Sequence, residues 1–249
     1  RILNGTLKEH RLLEPLSDKT AIKAYLKGRN LLKEGDLEGA KDFLTRSLNK
    51  FPRNAKALER RGLVHYEEGN KAEALADYAR SLEVDAKRPD AYIGRARILM
   101  EEENWADALL DLTEAMKRSM PHHEAYLEAL HRKGACLVEL EEYEQALKSF
   151  DFFLSRPLQE DHPQYLFRQQ VAYDKGRALA AKGDLKAAIT SFDDAFKMPA
   201  RDGKPDIAEI LLHRGMAFQQ SGQAGFIEDW TQAADHGSKR AAELLAEVG

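Results

Sequence analysis

Four columns of residue type recur six times along this chain, and few folds are compatible with such a pattern. A small residue stands at Gly28, Gly62, Ala96, Gly134, Gly176 and Gly215, at spacings of 34, 34, 38, 42 and 39. Twelve residues after each come Ala40, Ala74, Ala108, Ala146, Ala188 and Ile227. Four further on are Leu44, Tyr78, Leu112, Phe150, Phe192 and Thr231, and three beyond those are Ser47, Ser81, Ala115, Phe153, Ala195 and Ala234. A period of this length marks a repeat architecture, in which one supersecondary unit cannot bury its apolar stripe alone and must stack on its neighbours.

Within each copy the apolar spacing is helical, and short turns such as Glu34-Gly35-Asp36 and Lys182-Gly183-Asp184 break it in two. The small residue on the first helix admits close approach of the second. The alanine on the second helix fills that contact, and the large residue one turn later fills the space between copies. The pattern resembles the tetratricopeptide repeat, a 34-residue helix–turn–helix unit, in its bacterial-type proteins, over about residues 21–237. That resemblance implies an all-α, right-handed α-α superhelix of about six repeats: 21–54, 55–88, 89–122, 123–160, 161–202 and 203–237. Residues 238–249 then form a C-terminal capping helix, with Ala241, Leu244, Leu245 and Val248 on one face. Residues 1–20 are either an N-terminal segment, in which Leu7, Leu12, Leu13 and Leu16 pack on the first repeat, or the stump of a linker. Ser17 or Asp18 is a suitable helix cap there.

Two departures stand out. Pro121, Pro163 and Pro205 lie 42 residues apart. Because proline favours the first helical position, the first helices of repeats four and five are predicted to be about a turn and a half longer than usual. In the sixth copy Ile227 replaces the alanine, and Trp230 sits one place before the aromatic column.

Composition narrows the function. Apolar residues make up 43% of the chain and charged residues 32%, which suits a packed core rather than disorder. The net charge of −4 offers no overall basic excess for nucleic acid. No apolar run approaches the length of a membrane span. One cysteine, Cys136, excludes an internal disulfide and a multi-cysteine zinc site. It suits a reducing compartment, so the cytoplasm is favoured. Because the chain starts with Arg1, periplasmic or membrane-anchored placement stays open, and Asn4-Gly5-Thr6 is a glycosylation sequon only in a eukaryotic secretory route.

The chemistry-bearing residues form no catalytic constellation. There is no phosphate-binding glycine motif, and His122, His123 and His131 lack chelating spacing, so they are expected at the surface and no metal or cofactor is predicted. Cys136, two residues after the repeat glycine, is expected as a buried packing residue rather than a nucleophile. Trp105 and Trp230 are expected in the core.

The resemblance places ligands on the first helix of each pair, in the concave groove. With the small residue counted eighth, slots 2, 5, 6, 9 and 13 face it. Candidate partner-binding residues there are Tyr25, Arg29, Arg60, Arg97, Arg132, Tyr173, Arg177 and His213. A ladder of arginines grips carboxylates or peptide carbonyls in bidentate fashion, which points to an acidic peptide. The same slots hold seven basic residues, among them Lys33 and Lys56, and eight acidic ones, among them Glu59, Glu67, Glu139 and Asp174. Pairing between repeats is therefore an equal alternative. On this ladder, Arg97→Glu with Arg132→Glu abolishes binding.

The carboxylate clamp of chaperone-binding members does not match: its slots hold Tyr25, Arg29, Arg60, Asp90 and Gly94, or His131, Ala135, Asp174, Glu209 and His213. A heat-shock chaperone tail is therefore not expected. The expected function is a non-catalytic scaffold that binds a peptide segment or a partner protein. Two alternatives stand behind it: a regulatory or substrate-docking arm of a larger enzyme or membrane-anchored protein, and an RNA-binding helical repeat, which the acidity and the mixed slots disfavour. Self-association through Leu12, Leu13 and Leu16 is a further expectation.

Overall fold

The computed structural model describes residues 19–199 and 205–248, and these form thirteen α-helices and one 3₁₀ turn. The readings made for residues 1–18 (the leucine segment, the helix cap at Ser17 or Asp18, and the sequon) lie outside the described residues. The chain divides into two compact units, at 1–104 and 105–249.

The first unit holds α1 (Lys19–Glu34), α2 (Leu37–Lys50), α3 (Ala55–Glu67), α4 (Lys71–Val84) and α5 (Pro89–Glu101). The second holds α6 (Trp105–Lys117), α7 (Glu124–Glu139), α8 (Tyr143–Leu154), α9 (Arg168–Ala181), α10 (Leu185–Lys197), α11 (Ile207–Gln220), α12 (Phe226–Asp235) and α13 (Lys239–Val248). Consecutive helices pack on one another within each unit, which is the all-α helical-repeat class read from the sequence.

The columns of the repeat are the core. Ala40, Ala74, Ala108, Ala146 and Ala188 are all buried, as are Leu44, Tyr78, Leu112, Phe150 and Phe192 one turn on. A methyl group at Gly176 would stand 2.6 Å from Cε1 of Phe192, so only glycine lets that ring seat. In the fourth column two serines also staple the pair. Ser47 Oγ donates to the Ala21 carbonyl at 2.9 Å, and Ser81 Oγ to the Ala55 carbonyl at 2.8 Å.

Caps set the helix starts. Asp36, Asn54 and Asp184 accept from the backbone N–H of Gly39, Ala57 and Ala187. The turn between paired helices needs a left-handed residue. Gly35, Gly69, Gly183 and Gly222 supply it, with φ of 82°, 81°, 84° and 69°. In the two intervening copies Glu103 and Glu141 take the same conformation, at φ 58° and 60°.

The prolines do not begin long helices. Pro89 does occupy the first turn of α5. Pro121, by contrast, stands before a cap, where His123 Nδ1 accepts from Ala125 N–H, and α7 runs from Glu124 for 16 residues. That is three more than the 13 of α3, about one turn rather than one and a half. In the next copy the extra length after Pro163 becomes the 3₁₀ turn Tyr165–Phe167, and α9 has 14 residues. Pro205 precedes the cap Asp206, which accepts from Ala208 N–H. The local capping bond, rather than the fixed proline φ, chooses the first helical residue.

The sixth copy slips by one residue. Trp230 is fully buried, and its ring lies where a methyl on Gly215 would go, whereas Ile227 is 53% exposed. The aromatic role therefore falls on Trp230 and not on position 231. Gly225, at φ 127°, precedes α12 and resets its start.

Candidate functional site

In the first unit the first helices of two repeats, α1 and α3, wall an open cavity of ≈780 Å³. Tyr25, Arg29, Leu32 and Lys33 come from α1, Lys56, Arg60, Leu63 and Glu67 from α3, and Leu37 and Arg88 complete it. These positions reach one surface because residues three and four apart on a helix share a face.

The charges are not evenly paired. Arg88 is committed: its guanidinium lies 2.6 Å from Glu59, a carboxylate only 3% exposed. Burial nevertheless pushes the Glu59 carboxyl above its ordinary pKa, against the pull of Arg88. Arg60 is held loosely, 3.6 Å from Glu59 and 3.7 Å from Asp90, and its Nε is buried without a hydrogen-bond partner. Among the described residues Arg29 bonds only the side-chain oxygen of its neighbour Asn30, at 3.2 and 3.4 Å. Lys33 and Lys56 meet no carboxylate among the described residues. Among the described residues the cavity thus lines apolar walls with cations and a single acid, Glu67.

The other arginines of the proposed ladder are spent on internal contacts. Arg97 lies 3.7 Å from Glu67 and stacks on Tyr66 with its guanidinium carbon 4.2 Å from the ring centre. Arg132 pairs along its own helix with Glu128 at 3.0 Å. Arg177 bridges Glu139 at 3.0 Å and Asp174 at 3.7 Å. Charge reversal at Arg97 and Arg132 therefore breaks pairs already made, which makes that double variant a poor probe of the face.

Slot 5 is an interior position in the middle repeats. Glu59, Ile93, His131 and Tyr173 are all buried. In three cases the cover is visible: Arg88 lies over Glu59, Asp174 stands 3.6 Å from His131, and His213 meets Tyr173. His131 is thus not at the surface; it packs between the rings of Phe153 and Phe167. Tyr173 Oη lies 3.1 Å from His213 Nδ1, which is also 2.9 Å from the Glu209 carbonyl. That nitrogen either donates to the carbonyl or accepts from the tyrosine, according to tautomer.

Burial holds the His213 imidazole below its ordinary pKa of 6.5. A depressed histidine binds fewer protons folded than unfolded, so its contribution to stability is present above about pH 6.5 and is lost as pH falls through the folded value. The second unit is expected to lose stability as pH falls below about 6.5. In urea titrations His213→Gln should flatten that slope; an unchanged slope would remove His213 as its source.

A smaller recess of ≈290 Å³ in the second unit is lined by Glu139, Glu141, Tyr143, Arg177, His213 and Met216, among others. Its arginine is neutralised by the Glu139 pair already described.

Cys136 is fully buried, and burial pushes its thiol up to about 12, so it packs as a small apolar group. Trp105 is half-buried rather than core, as are Leu37, Tyr143 and Leu185 in its column. Among the described residues no group of histidine, cysteine, aspartate and glutamate could hold a metal ion, and no helix is long and apolar enough to cross a membrane.

Comparison with curated protein sequences finds no match. Solved structures are similar in fold. PilF of Pseudomonas aeruginosa aligns at a TM-score of 0.68 and 20% identity, over 92% of this chain and 98% of that one. PilW, described as a widely conserved type IV pilus biogenesis factor, aligns at 0.70 and 16%, over 92% and 100%. YrrB, described as a TPR protein with an unusual peptide-binding site, aligns at 0.62 and 19%, over 83% and 98%. The tetratricopeptide repeat profile matches residues 25–92 and 173–243, more than half of the sequence. With its small, alanine and aromatic columns forming the core, the chain belongs to the tetratricopeptide repeat family.

Proposed function

We propose that this protein is a non-catalytic interaction scaffold that binds a peptide segment of a partner protein on the first-helix face of its repeats. Family membership supports the class of function. The open cavity between α1 and α3 supports the place, because it is roomy, walled by Leu32, Leu37 and Leu63, and edged by polar groups that could fix a bound chain. Tyr25, Arg29 and Arg60 of the sequence candidates line it. Binding energy would rest on a few anchors rather than on total area.

The test is selection of displayed random peptides on the immobilised full chain. Peptides are expected to be recovered whose binding is lost on Leu63→Asn, with thermal unfolding run alongside to show that the variant folds. Recovery of none by the folded chain, or full retention by the folded variant, would remove the reading.

A further inference from the structure

The geometry points to a specific occupant: an internal acidic segment, Asp- and Glu-rich with an interspersed leucine, held in the first-unit cavity. The inference rests on the reading above and adds the chemistry of the ligand.

The argument is one of unmet charge. Arg29, Lys33 and Lys56 line the same cavity, and none has a carboxylate partner among the described residues. Arg60 is held only at 3.6 and 3.7 Å, beyond hydrogen-bond length. The chain is acidic overall, at a net charge of −4, and elsewhere Arg132 and Arg177 each lie 3.0 Å from a carboxylate, while Arg97, 3.7 Å from Glu67, stacks on Tyr66. Cations gathered without counter-charges raise the local potential and favour an anionic ligand. The apolar wall made by Leu32, Leu37 and Leu63 then favours a peptide over a nucleic acid. Stacking bases need aromatic faces, and among the described residues Tyr25 is the only aromatic side chain lining the cavity. Several dispersed cations suit side-chain carboxylates along a segment, rather than one terminal carboxylate at a single clamp.

The experiment is fluorescence anisotropy with the full chain and four labelled probes. These are an acetylated, amidated peptide of Asp, Glu and Leu, its version with a free C-terminal carboxylate, the same peptide with Lys in place of the acids, and single-stranded oligouridylate. The acidic peptide is expected to bind, and to weaken by about tenfold or more with Arg29→Glu/Lys33→Glu and with rising salt. It should bind unchanged to Lys148→Glu, an exposed charge change on α8. A version of the acidic peptide with a free C-terminal carboxylate should bind no more than slightly tighter. Equal binding of the acidic and basic peptides, preference for the oligouridylate, or an unaltered affinity in the double variant would overturn the inference. If the acidic probe fails while display-selected peptides still need Leu63, the ligand chemistry is wrong and the binding face stands. If both fail, the face itself is wrong.

Discussion

Trp230→Ala is expected to cost about 3–5 kcal/mol, the range for removing a fully buried large aromatic side chain. Trp230 has no exposed surface, packs edge-on against Phe226 with ring centres 5.2 Å apart, and donates from Nε1 to the Leu212 carbonyl at 3.3 Å. Its truncation empties the space that Gly215 leaves open and leaves Leu211, Ala233 and Ala241 without their common neighbour. Thr231→Ala, at the position the repeat spacing assigns to the aromatic, is expected to change stability by no more than about 0.5 kcal/mol, because Thr231 is exposed and bonds only within its own helix. Urea unfolding of the two variants by circular dichroism compares them directly. A larger loss at Thr231 than at Trp230 would restore the unslipped register.

The second large effect concerns charge. Arg214 grips Asp229 through two bonds of 2.8 and 2.6 Å and also reaches Asp193 at 2.6 Å. Asp229 is buried, and the hydrogen bonds to it raise the Arg214 pKa further above its already high value. Arg214→Met strands a buried carboxylate and is expected to cost about 3–5 kcal/mol. The double replacement Arg214→Met/Asp229→Leu removes both charges and should recover most of that loss, since a buried pair is often no better than apolar side chains of similar size. Arg240→Ala, which breaks an exposed pair with Glu243, should have no measurable effect. A double variant as unstable as the single one would show that the pair itself, not the stranded charge, carries the energy.

These two cases also mark where the sequence was readable. The alanine and aromatic columns were legible because packing between paired helices depends on residues at fixed spacing in one copy. At the sixth copy the displaced aromatic, Trp230, was legible as a core residue one place early, but its cause was not, since a single glycine conformation at Gly225 moves a helix start without altering the composition around it. The prolines misled for a related reason: the side chains of His123 and Asp206 cap the helices downstream of them.

The candidate site was half legible. Spacing put Tyr25, Arg29 and Arg60 on one face, and they do line one cavity. It could not show that slot 5 is covered by the following repeat, as Tyr173 is by His213, because that cover comes from about 40 residues away. Nor could it show which arginines are satisfied: Arg177 finds Glu139 at a separation of 38 residues. Lys33 and Lys56 stood in the slots but not among the chosen residues, and Arg88 lay outside the slots, just before α5. The missing signal was the absence of an acid beside a cation, which only three-dimensional placement reveals.

The measurement that tests the account most directly is a chemical-shift map of the full chain, titrated with the acidic leucine-containing peptide. The account predicts that the shifted resonances cluster on Tyr25, Arg29, Leu32, Lys56 and Leu63, with Arg177 and His213 unmoved. Shifts centred on α9 and α11, or spread without a cluster while the peptide is bound, would contradict it.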